Sequence, residues 1–239
     1  MRHTPPCQLH HRLTIMTAAP KNRIILVEDH PLYRERLAHL ISKDLQMEVC
    51  GEASSIQEAM ALVHSLAPDL AIVDITLRGS SGLELIKDLR AQGFMLPVLV
   101  LSMHSEGLYA ERVLRAGAKG YISKNEPAAE IVRAIRRVID GGVYLSEGVT
   151  SKLLDKLTHG SGSKSQATDM EKLTDRELEV FHQTGLGHNT REIAELLHLG
   201  ETTVDTYRAR IKEKLKLRNA AELYQRAAQW VKEQELSSN

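Results

Sequence analysis

The chain has 239 residues, enough for two compact domains, and its 31 basic and 31 acidic side chains give a formal net charge of zero. With this balance, the overall charge does not indicate any class of partner. Two cysteines, Cys7 and Cys50, are too few for a disulfide framework, and no apolar stretch is long enough to span a membrane. We therefore predict a cytoplasmic protein without a membrane partner.

Residues 1–20 are predicted to form a disordered leader. They contain Pro5 and Pro6, show no apolar periodicity and lack the continuous apolar core of a signal peptide. Three histidines and one cysteine make a metal-binding tail the less favoured alternative. Met16 is an alternative to Met1 as the start of the protein.

Five short apolar runs alternate with helical patterns between residue 23 and about residue 140. The runs lie at 23–27, 47–50, 70–74, 97–101 and 120–123. Several are β-branched and do not alternate with polar residues, which is typical of parallel strands covered on both faces. The repeats predict a doubly wound α/β domain over 21–142, with the parallel strand order 2-1-3-4-5.

A linker and a second domain are predicted to follow. Residues 143–170 form the predicted linker, which ends in the Gly/Ser-rich stretch "THGSGSKSQATDM". From 171 to 235 the pattern is helical throughout. Thr174, Asn189 and Asn219 are each followed three residues later by glutamate, the signature of a capped helix start. We predict a small all-α domain of four helices.

Polar side chains stand at the ends of the predicted strands. The first run ends in Glu28 and Asp29, the third in Asp74 and the fourth in Ser102, while the fifth leads to Lys124. Because the first and third strands are neighbours in the predicted order, their three carboxylates would converge. Three carboxylates at close quarters cannot all stay ionised without help. The arrangement predicts a site for Mg²⁺, which prefers oxygen ligands.

The same geometry leaves room for chemistry on Asp74. A carboxylate can attack phosphorus and become an acyl phosphate. Lys124 would neutralise one phosphoryl oxygen, and the Ser102 hydroxyl would hydrogen-bond to another. Each residue alone would ordinarily be a turn, cap or solvated residue. The ordered set of five on four strand ends is what favours a functional site.

Four segments resemble the receiver domain of bacterial two-component response regulators: "ILVEDHPLYRERL", "PDLAIVDITLRGSSGLELI", "VLVLSMHSE" and "GAKGYISK". The resemblance covers 23–140 and implies a flavodoxin-like fold. It implies these roles: Asp74 as phosphoacceptor, Glu28, Asp29 and the Thr76 carbonyl as further Mg²⁺ ligands, Ser102 and Tyr121 as the switch pair, and Lys124 as the phosphate-binding lysine. Many relatives have proline where this chain has Arg78, a departure that removes no chemical group.

The segment from 201 carries a local basic patch. Six basic residues lie between 208 and 218, opposed only by Glu213. Val204, Ile211 and Leu215 form one apolar stripe, so the small and polar residues of the helix face away from it. This pattern is more typical of a helix that binds in a DNA groove than of a helix whose charged face only contacts solvent. With the preceding helix and a turn at Gly200, it predicts a helix-turn-helix.

Residues 172–233 resemble the LuxR/NarL-type DNA-binding domain through "LTDRELEV", "REIAELL", "TTVDTYRARI" and "KLKLRNAAEL". By position in that family, Asp205, Thr206 and Ala209 would read bases. Nearby contacts, mainly to phosphate, are expected from Thr202, Arg208, Arg210, Lys212 and Lys214. Asp205 stands where many relatives have lysine. Because an acid can accept a hydrogen bond from a cytosine amino group, the operator sequence cannot be copied from a relative.

Together the two resemblances imply a transcription factor controlled by phosphorylation, and not an enzyme. The implied partners are DNA, a sensor histidine kinase and, once phosphorylated, a second copy of the chain, with RNA polymerase as a further candidate. Phosphorylation would act through a dimer or by freeing the C-terminal domain from its own receiver, and the sequence leaves both options open.

Two alternative functions share part of this pattern. A haloacid-dehalogenase-type phosphatase also forms an aspartyl phosphate beside Mg²⁺, but it has a second aspartate where this chain has Thr76. A DNA-binding protein that ignores phosphorylation would carry a degenerate receiver, and the intact set of five residues argues against it.

Overall fold

The computed structural model describes residues 21–44, 46–103, 106–158, 169–170 and 172–236. The predicted leader and most of the Gly/Ser-rich stretch lie outside these ranges. The strands are β1 (Asn22–Val27), β2 (Met47–Ala53), β3 (Leu70–Asp74), β4 (Thr76–Leu77), β5 (Ser80–Ser81), β6 (Val98–Ser102) and β7 (Gly120–Ser123). The helices are α1 (Pro31–Ser42), α2 (Ile56–Leu66), α3 (Gly82–Ala91), α4 (Glu106–Arg115), α5 (Ala128–Ile139), α6 (Glu147–Thr158), α7 (Asp175–Gly185), α8 (Thr190–Leu196), α9 (Glu201–Lys214) and α10 (Ala220–Leu236).

Five parallel strands form the central sheet in the order β2-β1-β3-β6-β7. This confirms the predicted order 2-1-3-4-5, because β4 and β5 pair only with each other in a small antiparallel hairpin. The hairpin was not predicted, since strands of two residues are too short to show a periodic pattern.

Both faces of the sheet are buried under helices. Along β1, Ile25 and Val27 belong to one apolar core, whereas Ile24 and Leu26 belong to the other. Residue alternation therefore sends successive side chains into two different cores, which is why the run has no polar positions. Buried residues of α1 and α5 line the second core, and those of α2, α3 and α4 line the first.

The predicted linker is helical in its first half, where α6 spans Glu147–Thr158. Four helices, α7 to α10, then form the C-terminal domain, as predicted. The predicted capping boxes are present at Thr174 and Asn189. At Asn219 the side chain accepts from the Glu222 backbone at 2.9 Å, but the Glu222 carboxylate accepts instead from the Arg218 N–H.

The turn between α8 and α9 differs in detail from its prediction. Gly200 is the N-cap of α9 with an ordinary φ of −79°. The left-handed residue of the turn is His198, with φ at +52°. Val204 and Ile211 of α9 are fully buried, and the Trp230 ring lies 5.4 Å from the Phe181 ring. Among the described residues, no helix combines the length and apolarity needed to cross a bilayer.

Candidate phosphorylation site and nucleic-acid interface

Three carboxylates meet at the carboxyl edge of the sheet, at the ends of β1 and β3. Glu28, Asp29 and Asp74 are 2%, 4% and 4% exposed, and we call them the acidic cluster. Pairing of β1 with β3 brings them together. Lys124, which follows β7, places its Nζ 2.8 Å from Asp74 Oδ2 and 2.5 Å from Glu28 Oε2. Four of the five predicted strand-end residues, Glu28, Asp29, Asp74 and Lys124, therefore share one buried site.

Asp74 and Glu28 share the positive charge of Lys124. Burial raises the pKa of Asp74 to about 7, the Lys124 ammonium opposes this rise, and the Glu28 carboxylate adds to it. Burial lowers the pKa of Lys124, but Asp74 and Glu28 together outweigh burial, so that this pKa is raised and the ammonium stays charged. The lysine thus compensates part of the negative charge of the acidic cluster.

The remaining negative charge fits a divalent cation. Both oxygens of Asp29 are buried and have no hydrogen-bond partner among the described residues. Donor atoms of Glu28, Asp29, His30 and Asp74 lie within 4.8 Å of one another. A buried carboxylate without hydrogen bonds is costly, and a hard cation with oxygen ligands would remove the cost. The Thr76 N–H lies 3.3 Å from Asp74 Oδ1, which brings Thr76 to the same edge.

The switch pair is also buried. Ser102 and Tyr121 are both 0% exposed. Burial raises the pKa of the Tyr121 phenol well above its ordinary value, and a hydrogen bond with Ser102 offsets only part of this effect. The ring therefore lies inside the domain with its hydroxyl directed at the residue that ends β6.

The predicted DNA-contact residues on α9 fall into two groups. Thr202, Asp205, Thr206, Ala209 and Arg210 are exposed. The other three predicted residues, Arg208, Lys212 and Lys214, are only partly exposed.

Two of the partly exposed residues are engaged within the domain. Arg208 donates to Thr190 Oγ1 at 2.7 Å and to the His188 carbonyl at 3.2 Å. Lys214 donates to Glu177 Oε2 at 2.6 Å. These two cations hold helices together in this structure.

Sequence reasoning did not find the contacts between the two domains. Asp175, at the start of α7, binds Lys87 of α3 at 2.7 Å and Arg112 of α4 at 3.0 Å. Arg112 also donates to the backbone carbonyls of Met170 and Leu173. We call this set the Asp175 contact. No sequence signal could have found it, because apolar periodicity and strand ends do not relate the residues of two separately folded domains.

A second buried pair lies next to this contact. Arg176 donates to Glu179 at 2.5 Å and also to the carbonyls of Leu77 and Ser80 in the hairpin that follows Asp74. Glu179 is fully buried, and burial raises its pKa to about 7 against the opposing effect of Arg176. Through Arg176, this charge pair of α7 contacts the β4–β5 hairpin, which follows Asp74 of the acidic cluster.

His198 makes a third contact between the domains. Its Nε2 lies 3.6 Å from Asp29 Oδ2. His30 Nδ1 lies 3.0 Å from Asp29 Oδ1 and 3.2 Å from Glu28 Oε1. The turn of the helix-turn-helix therefore reaches the acidic cluster.

Fold and site together define a two-domain regulator, and comparisons with known proteins agree. Residues 24–136 match the model for the response regulator receiver domain, and residues 171–227 match that for the bacterial regulatory proteins of the luxR family. The transcriptional activator protein ExaE of Pseudomonas putida is 37% identical over 84% of this chain and 92% of its own. The chain belongs to the response regulators with a LuxR-type domain, which are transcriptional regulators of two-component systems and not enzymes.

Two solved structures support the fold. A LuxR-family response regulator from Aurantimonas is 31% identical and matches with a TM-score of 0.54 over 57% of this chain and 98% of that one. RcsB from Salmonella enterica serovar Typhimurium matches with a TM-score of 0.56 over 87% of this chain and 98% of that one. At 20% identity, the second likeness speaks for the fold alone.

Proposed function

We propose that Asp74 accepts a phosphoryl group from a sensor histidine kinase and that this controls how the C-terminal domain binds DNA. The buried cluster of Asp74, Glu28 and Lys124 carries the proposal, because it places a nucleophile beside a fixed positive charge. The domains are proposed as 21–142 and 171–235, with 143–170 as a linker that contains α6. Cytoplasmic location and contact with RNA polymerase stay predictions.

The chemistry follows from the residues present. An Asp74 oxygen would attack the phosphorus of a phosphohistidine, forming a P–O bond as the P–N bond breaks, and the released imidazole would take up a proton. Glu28, Asp29, Asp74 and the Thr76 carbonyl would hold Mg²⁺, which when bound supplies positive charge to the phosphoryl oxygens. Lys124 would exchange its bond with Asp74 for one with the phosphoryl group, and Ser102 would donate to another oxygen.

Transmission to the second domain would run through α4. Movement of Ser102 toward the phosphoryl group would change the position of the Tyr121 ring. Arg112 lies on α4, and its guanidinium takes part in the Asp175 contact. Of the two options that the sequence left open, this contact favours release of the C-terminal domain from its own receiver as the first step.

Release would act on the pairing of two DNA-binding domains. Thr202, Asp205, Thr206 and Ala209 on α9 are already exposed while the Asp175 contact is formed. The contact therefore does not cover the proposed base-reading face. It would instead fix the orientation of that face relative to the receiver. Two domains in a symmetric dimer could then not reach both half-sites at once.

Phosphorylation is tested with a small phosphodonor and Mg²⁺ on wild type and on Asp74→Asn. We expect stable label on the wild type and none on the variant, with DNA affinity rising only in the wild type. Absence of label from wild type would instead support a DNA-binding protein that ignores phosphorylation. Selection from random DNA would supply the operator sequence for these measurements.

The release step is tested with Arg112→Ala, and Arg115→Ala is the matched control. Arg115 lies on the same helix and pairs with Glu111 one turn away. Without phosphorylation, Arg112→Ala should bind DNA with two half-sites about tenfold more tightly than wild type. When one domain of a dimer is bound, the released second domain has a high effective concentration at the other half-site. Binding to a single half-site should not change. Equal gains on both DNAs, or an equal effect of Arg115→Ala, would exclude the pairing mechanism.

A further inference from the structure

The junction of the two domains holds a set of metal donors of mixed type. Glu28, Asp29 and His30 stand at the end of β1, and His198 reaches them from the turn between α8 and α9. We call these four the histidine–carboxylate cluster. Two imidazoles beside two carboxylates are a different donor set from the all-oxygen set that Mg²⁺ prefers.

Three separations within this cluster are close to those of ligands around one small ion. Metal–nitrogen and metal–oxygen bonds of about 2.1 Å in a tetrahedron place neighbouring ligand atoms about 3.4 Å apart. The His30 nitrogen lies 3.0 Å and 3.2 Å from oxygens of Asp29 and Glu28, and the His198 nitrogen lies 3.6 Å from the second oxygen of Asp29. The two ring centroids are 6.2 Å apart, slightly more than the roughly 5–6 Å of two imidazoles on one ion, so the rings would have to move closer when the ion binds.

The Asp29 carboxylate, which the candidate Mg²⁺ site also uses, is the buried group that calls for a ligand here. Both Asp29 oxygens are buried without a hydrogen-bond partner in the described part of the chain, and they lie between the two rings. The Arg78 guanidinium approaches the same carboxylate at 3.8 Å, but its side chain is 68% exposed and can move away. A cavity lined by both histidines opens beside the cluster and also contains His188, Glu192 and Glu195.

We propose that the histidine–carboxylate cluster binds a borderline transition-metal dication of the Zn²⁺ class, which clamps the C-terminal domain onto the receiver. Glu28 Oε1, the Asp29 carboxylate, His30 Nδ1 and His198 Nε2 would be the ligands. Because one ligand comes from the second domain, the ion binds tightly only while the domains are in contact. The ion would occupy Glu28 and Asp29, so it would also compete with Mg²⁺ and slow phosphorylation.

This inference shares Glu28 and Asp29 with the proposed function but does not use Asp74. The two ideas can therefore fail separately. Asp74→Asn should lose phosphorylation and keep Zn²⁺ binding. The variant His198→Asn should keep Mg²⁺-dependent phosphorylation and lose the clamp. Asparagine suits the left-handed backbone at this position, so the turn should be retained.

The test is calorimetric titration of the full chain with Zn²⁺, with wild type, His198→Asn and His30→Gln compared. His39→Ala is the control, because His39 is an exposed histidine of α1 outside the cluster. Histidines and Cys7 in residues 1–20 are present in every variant, so they add the same background. We expect wild type and the control to bind one more equivalent than the other two, or at least about tenfold more tightly.

Two further readouts separate a metal clamp from a simple ion pair. Co²⁺ should give visible absorption typical of a four-coordinate ion in wild type but not in His198→Asn. Small-angle X-ray scattering should show that Zn²⁺ reduces the radius of gyration of wild type only. Equal Zn²⁺ binding by wild type and His198→Asn would overturn the proposal. So would a compaction that depends on His198 but is unchanged by a chelator, since that would make His198 a plain partner of Asp29.

Discussion

Arg78 is an exposed side chain that adds positive charge beside the acidic cluster. Its guanidinium lies 3.8 Å from Asp29 Oδ2, where it competes with a bound cation for the same negative charge. We predict that Arg78→Ala tightens Mg²⁺ binding by about two- to fivefold, a modest factor because the side chain is 68% exposed and screened by solvent. Calorimetric titration with Mg²⁺ measures it.

The charge-conserving variant Arg78→Lys should show less of this gain. Weaker Mg²⁺ binding by Arg78→Ala would mean that the guanidinium supports the loop instead of competing with the ion. In the sequence, Arg78 stands where many relatives have proline and removes no chemical group from the site. The structure shows instead that it adds a positive charge beside the cluster.

The residues of the acidic cluster could be predicted because strand ends are visible in the sequence. Glu28, Asp29 and Asp74 each follow an unbroken apolar run, and the parallel order then fixes which ends are neighbours. His198 could not be predicted as a partner of Asp29. Its position depends on how two separately folded domains meet, and no apolar period or cap encodes that distance.

Two arginines on α9 are two residues apart and have different surroundings. Arg208 donates to Thr190 and to the His188 carbonyl, and its guanidinium lies 5.3 Å from the Tyr224 ring centroid. We predict that Arg208→Ala lowers the free energy of unfolding by about 1–3 kcal/mol, because it leaves acceptors unpaired. Chemical denaturation of the full chain measures this change.

Arg210 is the matched comparison, because it is exposed on the same helix. Arg210→Ala should change stability by less than about 0.5 kcal/mol and should weaken binding to all DNA sequences, with a salt slope smaller by about 1. If Arg210→Ala destabilises the domain as much as Arg208→Ala, the assignment of Arg208 to the fold and of Arg210 to DNA contact is wrong.

The short segment between β3 and α3 depends on a glycine. A Cβ at Gly82 would lie 2.0 Å from the Asp74 carbonyl oxygen and 2.8 Å from Val73 Cγ1. We predict that Gly82→Ala destabilises the receiver by about 1–3 kcal/mol, since a buried backbone must move to make room. It should also slow phosphorylation, because the backbone that shifts belongs to Asp74. Thermal unfolding and labelling with a phosphodonor measure both effects.

Gly148 in α6 is the control for this substitution, because a Cβ there would meet nothing within 4 Å. Gly148→Ala should be neutral or stabilising by up to about 1 kcal/mol. A Gly82→Ala variant as stable as Gly148→Ala would show that the loop adapts without strain.

Contacts within one domain could be predicted from the sequence, whereas contacts between the two domains could not. Apolar periods fixed the five-stranded sheet and the four C-terminal helices in advance, because each element buries its own stripe. Lys87, Arg112 and Asp175 have ordinary surface patterns in sequence and become partners only when the domains dock. The buried pair Arg176 and Glu179 could not be predicted for the same reason, since charged residues of a surface helix usually face solvent.

This buried pair predicts how the assembled molecule responds to pH. Burial raises the pKa of Glu179 from its ordinary 4.5 to about 7, and the pKa of Asp74 is raised to about 7 as well. A raised carboxyl pKa means that the folded protein binds protons more strongly than the unfolded chain. The contribution to stability is therefore full below about pH 4.5 and is lost as pH rises through about 7.

We predict that Glu179→Gln removes part of this pH dependence. In buffer with a chelator, the wild type should lose stability between about pH 5 and pH 8, and the glutamate alone should account for at most about 3 kcal/mol of that loss. Glutamine keeps an acceptor for Arg176 and carries no charge to bury, so the variant should melt several degrees higher than wild type near pH 8. Adding Asp74→Asn should flatten the profile further. The mechanism fails if Glu179→Gln melts lower than wild type at pH 8, because the ionised carboxylate would then stabilise the interface through Arg176.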